Sequence, residues 1–189
     1  MSSSEPRPSS ADAEGPRGEG GEGGLQAFSS FPPIWREDAR VLVLGSMPSV
    51  RSAELGQYYG HRQNLFWPMM GEVLGFDPAL PYLERAECLR RSRIALWDVA
   101  RVCLRNKSSD ASMRAVEPND LAGLLRASPC LDRILFNGAK AEELFRRLVL
   151  PGLVWPKGPL SMRRLPSTSP AFAAMRREQK IALWREALA

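Results

Sequence analysis

The sequence predicts an α/β fold in which helices cover both faces of a central parallel sheet. Four short apolar runs have the length of strands, and segments with helical period separate them. These runs are Val41–Leu44, Ile94–Trp97, Arg133–Phe136 and a weaker one at Arg164–Leu165. Strands that alternate with helices along a chain form parallel sheets whose crossover helices lie on the two faces.

Five segments carry apolar side chains three and four residues apart, which is the spacing of one face of a helix. The first stripe runs from Leu65 to Leu74, and the second runs from Tyr82 to Leu89. The later stripes cover residues 121–125, 141–149 and 181–188. We expect each segment to pack as an amphipathic helix against the sheet.

The first 24 residues differ in composition from the rest of the chain. After Met1 they contain no large apolar side chain, so burial cannot offset the entropy cost of ordering them. We therefore expect a disordered tail over residues 1–24. The remaining length suits one domain, which we place at residues 25–189.

The folded part of the chain is basic. The tail carries five acidic and two basic residues, a net charge of −3, so the total of +5 leaves +8 on residues 25–189. A cationic surface favours an anionic partner, because each Lys or Arg placed against a phosphate releases condensed counterions. Nucleic acid is the natural candidate, although charge alone does not establish it.

Several classes of protein and of site are disfavoured. No segment approaches the length of a transmembrane helix, and the amino-terminal residues resemble neither a signal peptide nor an organelle transit peptide. The three cysteines, Cys88, Cys103 and Cys130, lack metal-ligand spacing, and only His61 could join them. We expect an intracellular protein, either cytoplasmic and nucleoid-associated or nuclear, without metal, cofactor or membrane partner.

Small and polar residues follow all four predicted strands. Gly45–Ser49 follows the first strand, Asp98 the second, Asn137–Lys140 the third and Pro166–Pro170 the fourth. In open parallel sheets, ligands bind beyond the carboxyl ends of the strands. We therefore expect these four segments to meet at one rim and form a site there.

The segment from Gln57 to Trp67 combines aromatic side chains, the one histidine and an amide just before a predicted helix. Burying such a mixture is costly unless its polar groups are used. A purely structural interpretation is also open. In that case the aromatic side chains belong to the core, His61 is a satisfied polar residue and Asn64 caps the helix.

Four segments together resemble the ordered motifs of the DNA-deoxyinosine, or hypoxanthine, glycosylases within the uracil-DNA glycosylase superfamily. The resemblance covers about residues 28–188, and four motifs in the right order are far more specific than any one of them. They are Gly45-Ser46-Met47-Pro48-Ser49, Gln57-Tyr58-Tyr59-Gly60-His61-Arg62-Gln63-Asn64-Leu65-Phe66-Trp67, Phe136-Asn137-Gly138-Ala139-Lys140-Ala141 and Leu165-Pro166-Ser167-Thr168-Ser169-Pro170-Ala171.

The resemblance implies a three-layer α/β/α sandwich around a four-stranded parallel sheet. It implies a monofunctional DNA glycosylase that flips a deaminated base out of DNA and starts base excision repair. The expected substrate is hypoxanthine, with uracil as a second one, and the expected state is a monomer. No amine lies in an obvious place for lyase chemistry, although Lys140 is near the site.

The resemblance assigns the catalytic role to Asn64. The superfamily often places an Asp or Asn that positions water in the loop after the first strand, but Met47 stands there in this sequence. A side-chain amide is a poor general base, so Asn64 would orient a water molecule rather than deprotonate it. Leu165 replaces the catalytic His of the uracil-specific enzymes, which implies weaker activity on uracil.

The predicted base pocket consists of Gly45, Ser46, Met47, Tyr59 and Asp98. Backbone N–H groups of the 45–49 loop are candidates for stabilising the departing base. Tyr59 matches an aromatic residue that stacks on the flipped base, unless it is a core residue. Asp98 either accepts an N–H from the base edge or caps the next segment.

The predicted DNA contacts lie around the same rim. Ser167, Thr168 and Ser169 offer hydroxyl and backbone N–H groups that suit phosphates. Three cations are also assigned to phosphates, namely Lys140, Arg163 and Arg164. The sequence departs from the family at Arg62-Gln63, where Pro-Arg is common, which affects loop stiffness or a DNA contact.

Two other functions stay open at this point. One is a catalytically inactive DNA-binding module of the same fold. The other is an unrelated doubly wound hydrolase that acts on free nucleosides, because a fold alone does not determine function.

Overall fold

The fold is given by a computed structural model that describes residues 25–106, 112–155, 158 and 160–189. The predicted tail, residues 1–24, lies outside the described residues. The strands, in chain order, are β1 Gln26–Ser29, β2 Val41–Gly45, β3 Ile94–Asp98, β4 Ala100–Arg105, β5 Arg114–Pro118, β6 Arg133–Asn137 and β7 Ser161–Leu165. The α-helices are α1 Val50–Leu55, α2 Phe66–Leu74, α3 Tyr82–Arg91, α4 Leu121–Ala127, α5 Ala139–Leu144 and α6 Arg177–Leu188.

The central sheet has four parallel strands in the order β3-β2-β6-β7. All four predicted runs lie in it, and the first three extend by one residue to Gly45, Asp98 and Asn137. The fourth strand begins earlier than predicted, at Ser161. It lies at the sheet edge and only Leu165 in it is buried, so its sequence has little apolar character to reveal it.

The alternation of side chains along β2 divides the core into two halves. Leu42 and Leu44 pack in one hydrophobic cluster, and Val41 and Val43 pack in the other. The first cluster includes buried residues of α4 and α5, and the second includes buried residues of α2, α3 and α6. Helices therefore cover both faces of the sheet, which confirms the predicted three-layer sandwich.

A second sheet, which the sequence analysis did not predict, has the order β1-β4-β5 with antiparallel pairing. Its strand β4 follows β3 of the central sheet directly, because only Val99 lies between them. The backbone N–H of Val99 donates to Gly45 O at 2.9 Å, and that of Ala100 donates to Ser46 O at 3.1 Å. These bonds hold the start of β4 against the loop that follows β2.

The five predicted helices are present, and α1 is an additional one. The predicted stripe at residues 141–149 is not one regular helix: α5 ends at Leu144, a π-helical turn covers Phe145–Val149 and a 3₁₀ turn covers Leu150–Gly152. In the part of the chain that the structure describes, no helix has both the length and the apolar character needed to cross a membrane.

Candidate active site

A pocket of about 320 Å³ lies at the carboxyl ends of the central strands, where the four polar segments were predicted to meet. Its wall includes Asn64 and all five residues predicted for the base pocket, together with all three hydroxyl residues of the loop after β7. The lining residues are Gly45, Ser46, Met47, Pro48, Ser49, Arg51, Ser52, Tyr58, Tyr59, His61, Asn64, Asp98, Arg105, Asn137, Ser167, Thr168, Ser169, Pro170 and Ala171.

Gly45 lies at the base of the pocket, close to side-chain oxygen atoms of Asp98 and Tyr59. It is the last residue of β2 and is paired in register with Asp98, the last residue of β3. A Cβ atom on Gly45 would lie 2.2 Å from Asp98 Oδ1 and 3.1 Å from the Tyr59 hydroxyl oxygen. Asp98 is itself buried. The lack of a side chain at Gly45 therefore makes room for the carboxylate at the base of the pocket.

The ring of Tyr59 stacks on that of Phe66, with 4.1 Å between ring centroids and 24° between ring planes. Its backbone lies in the left-handed region, with a φ of 55°. Such a conformation is uncommon for an aromatic residue and is typical of positions that the surrounding structure constrains. Tyr59 is half-buried and lines the pocket, a position that is compatible with stacking on a base. Its role in base stacking stays a prediction.

Tyr58, which is buried in the core, anchors this segment. Its hydroxyl donates to Phe31 O at 2.9 Å, and its carbonyl accepts from Trp67 Nε1 at 2.8 Å. Burial raises the pKa of the Tyr58 hydroxyl far above its usual range, and the charge of Asp98 adds to this rise. Tyr58 is thus a neutral structural residue beneath the pocket.

Asn64 lines the pocket and lies just before α2. Its Oδ1 accepts from the backbone N–H of Phe66, the first residue of α2, at 3.0 Å, and its own backbone N–H donates to His61 O at 2.8 Å. The N-cap of α2 is Leu65, so the structural interpretation of Asn64 as the helix cap is wrong by one residue. The bond to Phe66 is a local turn that fixes the orientation of the amide.

His61 makes a local hydrogen bond rather than one across the pocket. Its Nδ1 accepts from the backbone N–H of Gln63 at 3.2 Å. This bond shapes the turn that leads to Asn64. It agrees with a structural role for His61, while the ring still lines the pocket.

The loop after β7 is joined to β6 by a reciprocal pair of hydrogen bonds. Asn137 Nδ2 donates to Thr168 Oγ1 at 2.9 Å, and Asn137 Oδ1 accepts from the Thr168 backbone N–H at 2.9 Å. The carbonyl of Thr168 accepts from the backbone N–H of Leu65 at 3.0 Å. Through Thr168, the last residue of β6 and the segment that carries Asn64 are held against the same loop.

We expect Thr168→Val to lower the free energy of unfolding by about 1–3 kcal/mol. Thr168 is fully buried, and valine has nearly the same shape but no acceptor for Asn137 Nδ2. Chemical denaturation of the variant measures the change. The control is Ser161→Ala on exposed β7, which should change stability by less than about 0.5 kcal/mol. Equal stability of the two variants would contradict the role assigned to Thr168.

Helix α6 holds both ends of this loop. Trp184 Nε1 donates to Pro166 O at 3.0 Å, and Lys180 Nζ donates to Phe172 O at 2.7 Å. The two side chains lie one helical turn apart, and both residues are buried. Burial lowers the pKa of the Lys180 ammonium group. The loop between Pro166 and Phe172 is thus fixed at each end and at Thr168 in its middle.

Comparisons with known proteins agree with this geometry. A family model described as the uracil DNA glycosylase superfamily matches residues 32–189. The chain belongs to this superfamily. The membership confirms the family that was predicted from the four motifs.

Two curated relatives of this superfamily member are named Hypoxanthine DNA glycosylase, one from Methanosarcina barkeri and one from Methanosarcina acetivorans. Each is 39% identical over 114 residues, which cover 60% of this chain and 72% of the relative. A solution NMR structure of a candidate uracil DNA glycosylase from Methanosarcina acetivorans is also similar. Its TM-score is 0.73 and its identity 32%, covering 86% of this chain and 97% of that one.

The three cations predicted to contact DNA lie outside the pocket lining, and each has an acidic partner. Lys140 Nζ lies 3.0 Å from Glu143, Arg163 Nη1 lies 2.9 Å from Glu186, and Arg164 Nε lies 3.5 Å from Glu142. Glu142 and Glu143 are in α5, and Glu186 is in α6. Contact of the three cations with DNA stays a prediction, and their position outside the pocket does not support it.

The pocket wall includes residues to which the sequence assigned no role, among them Arg51, Arg105 and Asn137. Asn137 ends β6 as Asp98 ends β3, so the argument from strand ends applied to it as well. Arg105 lies in the second sheet, and the short apolar run Val102–Leu104 was the signal for that strand. Arg51 is the second residue of α1, a helix whose six residues are too few for a periodic pattern.

Among the residues that the structure describes, no group of three or more His, Cys, Asp or Glu side chains is placed to hold a metal ion.

Proposed function

We propose that this protein is a monofunctional DNA glycosylase that hydrolyses the N-glycosidic bond of hypoxanthine in DNA, with uracil as a weaker substrate. The observation that carries this proposal is the position of Asn64, fixed in the same pocket as the buried carboxylate of Asp98. The two relatives named Hypoxanthine DNA glycosylase support the same activity. The product in DNA is an abasic site.

The reaction requires a water molecule at the sugar and stabilisation of the departing base. The bond between C1′ and the base nitrogen breaks, and its electron pair stays on the base. Water adds to C1′, and the proton it loses finally neutralises the base anion. Asn64 contributes by holding this water with its amide, which lowers the entropy cost of the attack.

Asp98 is the residue that we assign to base recognition. An ionised carboxylate only accepts hydrogen bonds, so it pairs with the N1–H of hypoxanthine. Adenine has no hydrogen on N1, and its lone pair there would face the carboxylate. This contrast provides a physical basis for the selection of the deaminated base over adenine.

Duplex DNA would meet the pocket at its rim, where we assign phosphate contacts to Ser167 and Ser169. Both are half-buried, and both hydroxyl oxygens accept backbone N–H groups, at 3.2 and 3.3 Å, which leaves the hydroxyl hydrogens to donate. Thr168 is fully buried and bonded to Asn137, so its role is to position the loop. The base must rotate out of the duplex to enter, at a cost that is lower for mispaired bases.

Arg51 provides a test of the DNA-binding surface. Its side chain lines the pocket, is 54% exposed and lies 2.9 Å from Glu54. We expect Arg51→Ala to weaken duplex binding and to reduce the slope of log Kd against log salt by about one. The control is Arg146→Ala, because Arg146 has an equally short contact with Glu142 but lies outside the pocket. Identical slopes for both variants would place DNA elsewhere.

Excision is tested with labelled duplexes that contain one deoxyinosine, one deoxyuridine or no lesion, in buffer with a chelator. Alkaline treatment after incubation reveals abasic sites, and a parallel neutral sample reveals lyase cleavage. The proposal predicts alkali-dependent cleavage at deoxyinosine, less at deoxyuridine and none in the neutral sample. Binding to duplexes without cleavage would instead identify a DNA-binding module, and activity on free deoxyinosine alone would identify a nucleoside hydrolase.

A further inference from the structure

Arg105, at the carboxyl end of β4, is a buried arginine in the wall of the pocket. Only 1% of its surface is exposed. Its Nη2 donates to the carbonyl of Pro48, in the loop after β2, and its guanidinium carbon lies 4.4 Å from the centroid of the Phe28 ring. The second sheet therefore places a cation in the pocket wall, where it is bonded to the 45–49 loop.

A cation in the pocket would offset negative charge there. Glycosidic cleavage leaves negative charge on the base, and the pocket already contains the buried carboxylate of Asp98. Among the described lining residues the arginines are Arg51 and Arg105. Arg51 is half-exposed and close to Glu54, so solvent and the acid screen its charge. Arg105 is shielded from solvent, and a buried charge acts more strongly on its surroundings than an exposed one.

We propose that Arg105 stabilises the negative charge that develops on the departing base. The inference rests on the proposed glycosylase function and deepens it. As the bond from C1′ to the base nitrogen breaks, its electron pair moves onto the base, and the guanidinium lowers the energy of that anion. Arg105 neither gains nor loses a proton, because arginine keeps its charge in proteins. Water supplies the oxygen for C1′ and the proton that neutralises the base.

The Pro48 contact gives Arg105 a second effect, on the shape of the 45–49 loop. A guanidinium that is already held on a carbonyl and an aromatic face needs no reorganisation when charge develops, which is the condition for efficient stabilisation. A residue that only supported the loop would affect all bases alike. Stabilisation of an anion, in contrast, depends on how readily each base carries negative charge.

The test compares two leaving groups under single-turnover conditions. One duplex contains hypoxanthine, and the other contains 8-azahypoxanthine, which keeps the shape and pairing edge but is more acidic. The variants are Arg105→Gln, which keeps a donor for Pro48 O without the charge, and Arg105→Lys, which keeps the charge. Arg101→Gln is the control, because Arg101 is an exposed arginine in the same strand. Thermal unfolding and duplex affinity are measured for each protein.

We expect Arg105→Gln to slow excision of hypoxanthine by about 10²-fold and that of 8-azahypoxanthine by about ten-fold. The ratio of the two rates thus changes by about ten-fold. Arg105→Lys should restore most of the wild-type ratio, and Arg101→Gln should leave both rates unchanged. The salt dependence of duplex affinity should be the same for all four proteins.

Three results would overturn the inference. Equal losses on the two bases would reduce Arg105 to a support of the loop. An unchanged rate in Arg105→Gln would remove it from the reaction, and a lower salt slope would make it a phosphate contact. If Arg105→Gln fails to unfold cooperatively, Arg105→Met takes its place, because it also removes the charge while keeping a side chain of similar length, and the same change in the ratio is expected. Failure of the wild-type protein to excise either base would refute the glycosylase proposal instead.

Discussion

Asn64→Ala should lower the single-turnover rate of hypoxanthine excision by about 10²- to 10³-fold. The amide is the group in the pocket assigned to hold water at C1′, and Phe66 N–H fixes its orientation through a 3.0 Å hydrogen bond. Alanine removes both the amide and this bond. Duplex affinity should stay within about two-fold, because the loss lies in the chemical step rather than in binding.

The loss of the hydrogen bond to Phe66 must be separated from the loss of the amide. A hydrogen bond of this kind contributes about 0.5–1.5 kcal/mol, so Asn64→Ala should also unfold at a lower temperature. Asn64→Ser is the matched control, because a serine hydroxyl accepts the backbone N–H two residues further on in the same kind of turn but offers no carboxamide. We expect Asn64→Ser to recover stability and to stay deficient in excision.

Rates for deoxyinosine duplexes and unfolding curves, measured on both variants, decide between the roles. An active Asn64→Ser would reduce Asn64 to a support for the start of α2. Wild-type rates in Asn64→Ala would refute the catalytic assignment. They would also refute the inference that Asn64 takes over the task that the wider superfamily often gives to an Asp or Asn at the position of Met47.

The central sheet could be predicted because three of its four strands are nearly all apolar and buried. The strands β2, β3 and β6 combine apolar runs with small or polar ends, and those ends marked the pocket rim correctly. The second sheet was missed for the opposite reason. Burial alternates irregularly along β4, whose apolar run is only the three residues Val102–Leu104, and two of five residues in exposed β5 are charged.

The site divides in the same way. Asn64 and Tyr59 lie in a segment with strong motif character, Asp98 ends a clearly apolar strand, and the structure brings all three to one pocket. Arg105 could not be placed from the sequence, because its role depends on a long-range contact with Pro48, 57 residues earlier. Cations were assigned to DNA from their proximity in sequence to the motifs, whereas Arg163 and Arg164 point to acids in α6 and α5.

Gly45→Ala should abolish most excision. The new Cβ would lie 2.2 Å from Asp98 Oδ1, a distance that no relaxed structure permits. The two residues are paired in register in neighbouring strands, and Val99 N–H is bonded to Gly45 O, so the backbones cannot separate easily. The carboxylate must rotate into the base site, or the strands must shift at a cost of about 1–3 kcal/mol.

Either response removes the arrangement that we assign to base recognition, so the excision rate should fall by at least about 10²-fold. Gly152→Ala is the control, since a Cβ atom added there would have no other atom within 4 Å and the residue is exposed. Excision assays and denaturation curves for both variants separate the two responses: rotation of Asp98 alone removes activity at nearly constant stability, and a strand shift lowers both. An active Gly45→Ala would mean that the base binds without Asp98 in its present place, which would move recognition to the backbone of the 45–49 loop.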